Sequence, residues 1–90
     1  MEDRLREVVR YIGATNLAKS TAIKDRQRWQ TVATDERTRA RVQDLAELLR
    51  AHPEYELYIM HGEVDPGRGQ ISPSYSEADK KLAEQKAGSR

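Results

Sequence analysis

The chain has 90 residues, 37% of them hydrophobic, with no phenylalanine and no cysteine, and its 16 basic and 15 acidic residues leave a net charge of +1. That length holds one small core and excludes a two-domain protein, while the missing cysteines exclude disulfides and thiolate metal sites. No apolar run reaches the length of a membrane span, and Met1-Glu2-Asp3 lacks the basic-then-apolar order of a signal peptide, so a soluble cytoplasmic protein is expected.

From Glu2 to Ile12, apolar residues fall at Leu5, Val8, Val9 and Ile12, the spacing of an amphipathic helix. Glu2 and Asp3 suit its positive end and Gly13 marks its stop. Thr15 or Asn16 can cap a short second helix, Leu17–Ala22, burying Leu17, Ala18 and Ala22, with Ile23 in the connection. Asp25 is a good N-cap for a third helix, Arg26 to about Ala33, whose apolar face is Trp29, Val32 and Ala33. Its other face carries Gln27, Arg28, Gln30, Thr31 and Thr34.

Thr34-Asp35-Glu36 reads as a turn, and a fourth helix is expected from about Thr38 to Ala51, with Val42, Leu45, Ala46 and Leu49 as its apolar stripe and Leu48 beside it. Pro53 ends that helix, since the residue before proline is pushed out of the helical region. The segment Pro53–Met60 fits either a strand or a short helix. Proline at the start, early glutamates, Gly62 beyond the end and the lack of a partner strand favour the helix.

Composition changes after Glu63. Asp65-Pro66-Gly67-Arg68-Gly69 is a loop, Ile71–Tyr75 a short extended stretch, and Ser76-Glu77-Ala78-Asp79 opens a charged helix to about Gln85 or a disordered tail. The expected architecture is therefore all-α: a bundle of about five helices with a helix-turn-helix over residues 1–62, and a partly ordered, loop-rich extension over 63–90.

Charge is sorted along the chain. Between Lys24 and Arg41 six basic residues face three acidic ones, while Asp44–Glu56 is acidic. A helix pinned by Trp29 with a polar opposite face has what base reading in a major groove needs. Arginine suits guanine and glutamine suits adenine, which points to Gln27, Arg28, Gln30 and Thr31. Thr21, Lys24, Arg26, Arg37 and Arg39 are the expected phosphate contacts. A solvated helix face is the plain alternative.

Leu17-Ala18-Lys19-Ser20-Thr21-Ala22-Ile23 followed by Arg26-Gln27-Arg28-Trp29-Gln30 resembles the small phage helix-turn-helix regulators of the lambda-repressor-like (Cro-like, XRE-like) superfamily. Leu45-Ala46-Glu47-Leu48-Leu49, Pro53-Glu54-Tyr55 and the stretch Tyr58–Pro73 are similar to the fourth and fifth helices and the extension of a phage-associated branch. Ala22 and Lys24 stand where that superfamily has a turn glycine, and the spacing to Trp29 is one residue longer.

The resemblance implies a sequence-specific DNA-binding transcriptional regulator acting on double-stranded DNA as a homodimer, with Tyr55, Tyr58, Met60, Ile71 and Tyr75 as candidates for the dimer surface or for the monomer core. The near-zero net charge keeps a second reading open, a protein-binding module that occludes a host factor. Enzyme readings find no support. His52 and His61 have no metal-ligand spacing, Gly67-Arg68-Gly69 lacks a phosphate-loop context, and the serines have no base beside them in sequence. No catalytic residue, cofactor, metal, membrane or small-molecule ligand is expected.

Overall fold

Leu5, Val8 and Val9 are buried on one face of the first helix, α1 (Glu2–Ile12), as their spacing requires, with Ile12 at the edge of the core. The computed structural model describes residues 1–35 and 37–88, with side chains as far as residue 82. Glu36 and residues 89–90, the end of the expected extension, lie outside the described residues.

Gly13, at φ 95, ends α1 and at once starts α2 (Ala14–Ser20). Only a residue without a side chain adopts that backbone freely, which lets two helices meet without a loop. The second helix thus begins three residues before the expected start and ends before Ala22, which is exposed. Residues 21–25 form the turn into α3 (Arg26–Thr34), which Asp25 caps by accepting from the Gln27 amide at 3.0 Å. Trp29, Val32 and Ala33 are buried, and the Trp29 indole donates to the Ile23 carbonyl at 3.1 Å. Arg10 of α1 reaches the Ala33 carbonyl at 3.2 Å, satisfying one of the acceptors that a helix leaves open at its C-terminus.

The fourth helix departs from expectation. It runs Val42–Ala51, so residues 38–41 precede it. Its buried positions are Asp44 and Leu48, whereas Val42 is 86% exposed. Apolar patterning missed this because the inward face includes a carboxylate whose charge is met by two arginines.

Pro53–Tyr55 forms a single tight turn of 3-10 helix leading into α5 (Glu56–His61), which Gly62 ends in the left-handed conformation. The helical reading of this segment holds, and no strand occurs among the described residues. The extension is stitched onto the bundle: the Ile71 amide donates to the Glu54 carbonyl at 2.8 Å, and Gln70 accepts from the Leu57 amide at 2.9 Å and donates to the Pro53 carbonyl at 3.0 Å. α6 (Pro73–Gly88) starts earlier than the expected capping box, on Ser72, whose hydroxyl accepts from the Tyr75 amide. The result is an all-helical bundle, and among the described residues no helix is long and apolar enough to cross a membrane.

Candidate nucleic-acid interface

The unit α2–turn–α3 is fastened to α4 at three points. Glu47 accepts from the backbone amide of Ala22 in the turn, at 2.7 Å. His52, just past α4, lies 3.0 Å from the hydroxyl of Ser20 at the end of α2. Asp44 accepts from Arg28 of α3 through both carboxylate oxygens. The same carboxylate accepts from the Arg41 amide at 2.7 Å and the Arg41 guanidinium at 3.3 Å, so one buried group caps α4 and ties it to α3. Arg6 of α1 donates to the Thr38 carbonyl, holding the chain between α3 and α4.

Burial opposes ionisation of Asp44, but the hydrogen bonds from Arg28 and Arg41 outweigh it and hold its carboxyl below the usual range. Glu47 is lowered by its hydrogen bonds from Arg50 and the Ala22 amide, and Asp35 by those from the Arg37 amide and the Thr38 hydroxyl. A carboxylate lowered on folding stabilises the fold above its unfolded value, near 4, and loses that contribution as pH falls through the lower folded value. Thermal stability is therefore expected to drop on acidification below about pH 4, where these carboxylates take up protons. Melts across pH 2–7 check this; a melting temperature flat through that window would contradict it.

Fastening α3 on its Trp29 side leaves the opposite side open. Gln27, Gln30 and Thr34 are exposed and Thr31 is half-buried. The hydroxyls of Thr31 and Thr34 donate to the carbonyls of Gln27 and Gln30, which leaves their oxygens as acceptors toward solvent. Around this face, Lys24 is exposed with its ammonium near the Lys19 carbonyl, and Arg26 is exposed and donates to the Thr15 hydroxyl. Arg37 and Arg39 are exposed, Arg37 loosely paired with Asp35. The backbone of Arg39 accepts from Arg28 at 3.4 Å, which lays that residue beside α3.

Two of the expected contacts are placed differently. Thr21 is 1% exposed, and its hydroxyl donates to the Leu17 carbonyl at 2.6 Å, so it stabilises the turn and offers nothing to a phosphate. The Arg28 guanidinium is turned back to Asp44, away from the open face that helical periodicity assigns it. Sequence reading missed Asp44, Arg41 and Glu47 as the groups that set α3. The one signal available was the position of Asp44 in the first turn of α4, where a carboxylate can cap the amide of Arg41.

The expected dimer residues separate as well. Tyr55 is buried with its hydroxyl 3.3 Å from Ser76, Tyr58 is half-buried and donates to Glu7, and Ile71 packs on the core. Met60 and Tyr75 are exposed.

These features define a small all-helical bundle carrying a helix-turn-helix whose second helix is anchored on one side and polar on the other. No protein-family model and no curated protein matches the chain. Among solved structures it is similar to Pf6r from the filamentous phage Pf6 of Pseudomonas aeruginosa PA01, at 33% sequence identity and a TM-score of 0.72, over 91% of this chain and 95% of that one. The chain belongs to the same family as this phage protein.

Proposed function

We propose that the chain is a sequence-specific DNA-binding transcriptional regulator of the phage type, lambda-repressor-like in its reading unit, that binds a two-fold symmetric site as a homodimer. The observation that carries this reading is α3 itself, locked by Trp29 and by the Arg28–Asp44 pair while presenting Gln27, Gln30 and Thr31 outward. Side-chain amides are suited to paired hydrogen bonds with adenine in the major groove. Lys24, Arg26, Arg37 and Arg39 flank them as phosphate contacts. Arg28 acts as a positioning residue, holding α3 against α4. Kinship with a phage protein supports the phage setting. A single short helix reads few base pairs, so two copies one turn of DNA apart multiply the discrimination.

Gln27→Ala and Gln30→Ala are each expected to weaken binding to the cognate site by about 1–3 kcal/mol per half-site, or roughly 5- to 150-fold for each half-site, while leaving the melting temperature unchanged. Lys24→Ala and Arg39→Ala should weaken all sequences alike and each lower the salt slope of binding by about 0.9 per subunit, or about 1.8 for the dimer. Titrations at several salt concentrations read both effects. Unchanged affinity in both glutamine variants would remove α3 as the reading element. Absence of any binding to mixed DNA at low salt would favour the protein-occluding reading, with which a net charge of +1 agrees.

A further inference from the structure

The fold covers the apolar stripe of α4 only in part. Asp44 and Leu48 point inward, while Val42 and Ala46 are exposed and Leu45 and Leu49 are half-buried. Val42, Leu45, Ala46 and Leu49, spaced i, i+3, i+4, i+7, form an apolar ridge whose outer edge, Val42 and Ala46, is open to solvent while Leu45 and Leu49 also lean on the core. Met1, 51% exposed, extends it: with Leu5, Ala40, Val42 and Leu45, and with Glu2 and Arg41 among them, it lines a shallow groove at the start of α4.

We propose that a second copy of this chain covers the ridge, α4 packing antiparallel on the partner's α4 about a two-fold axis. This deepens the homodimer reading above and rests on it. The ridge is self-complementary, as a two-fold contact demands. Reversal of the order Val42, Leu45, Ala46, Leu49 sets Leu45 against the partner subunit's Ala46 and Leu49 against the partner subunit's Val42. Each larger side chain then meets a smaller one, the alternation that lets facing layers interdigitate.

Charge agrees with this partner. The helical flank beyond Ala46 carries Gln43 and Arg50, and an antiparallel pair brings like flanks together, so Arg50 meets the partner subunit's Gln43 and no like charges oppose. Arg50 is already neutralised by Glu47 at 2.9 Å. The acidic groups of α4 are directed elsewhere, Asp44 into the core and Glu47 to the Ala22 amide. Antiparallel helices also set opposite dipole ends side by side. Because Arg28 and Asp44 bind α3 to α4, a two-fold through α4 fixes the two reading helices relative to each other.

Sedimentation equilibrium of the whole chain and of Val42→Glu and Ala46→Glu tests the surface. Both positions are exposed, so the variants should keep the parent's circular dichroism and melting profile apart from any stability due to dimerisation. The parent is expected to be a dimer and both variants monomers, with Met60→Glu and Tyr75→Glu still dimeric. A monomeric parent at every concentration, or a dimer that survives Ala46→Glu, would overturn the proposal. Binding of Ala46→Glu to mixed DNA at low salt reports the α3 surface separately, so failure of the dimer surface and failure of the DNA reading are distinguishable.

Discussion

Asp44→Ala is expected to cost the fold about 3 kcal/mol, the lower end for breaking a buried ion pair. The side chain is 0% exposed and accepts from two arginines and the Arg41 amide. Its removal leaves Arg28, 20% exposed, to be partly rehydrated, which keeps the cost toward that lower end. Loss of the cap on α4 adds to it. In a domain whose total stability is of order 5–15 kcal/mol this is a large fraction, and a melting temperature lower by roughly 10–20 °C is the expected readout. Arg28→Ala should destabilise comparably, because it strips a buried carboxylate of its strongest partner. The double variant should be less destabilised than the two single effects summed, since each single variant already breaks the shared pair. Strict additivity in denaturant titrations would contradict the account of Arg28 as a positioning residue.

Trp29→Ala is expected to remove about 3–5 kcal/mol, the cost of emptying a large aromatic site in a packed core. Trp29 is 0% exposed and is the largest of the buried side chains. Its indole also bonds the Ile23 carbonyl across the turn, so the cavity and the lost hydrogen bond fall on the joint between α2 and α3. Trp29→Phe retains most of the apolar volume and should cost clearly less. Chemical denaturation of the three proteins measures the series, and equal stability of Trp29→Ala and the parent would mean that α3 is not pinned there.

The elements of the helix-turn-helix were legible because their signals are local. The spacing of Leu5, Val8 and Val9 set α1, Asp25 capped α3, and Trp29, Val32 and Ala33 gave its inward face. Gln27 and Gln30 are exposed as their helical positions imply. The fate of Arg28 was not legible, because its partner Asp44 lies 16 residues away and a buried carboxylate contradicts apolar patterning. With Asp44 and Leu48 inward, Val42 and Ala46 are left exposed at the edge of the apolar stripe of α4, which starts at Val42. Thr21 misled for a related reason: a threonine after a helix reads as a free donor unless one knows that the Leu17 carbonyl accepts its hydrogen bond. In the extension, Gln70 and Ile71 gave no local sign that their hydrogen bonds run back to Pro53, Glu54 and Leu57.

We propose base reading by the open face of α3, through Gln27 and Gln30. Selection of bound sites from a random double-stranded library, performed with the parent and with Gln27→Ala, tests it most directly. One enriched palindromic motif is expected for the parent, with preference relaxed at the same position of each half-site in the variant. No enrichment by the parent, or an identical motif from parent, Gln27→Ala and Gln30→Ala, would contradict it.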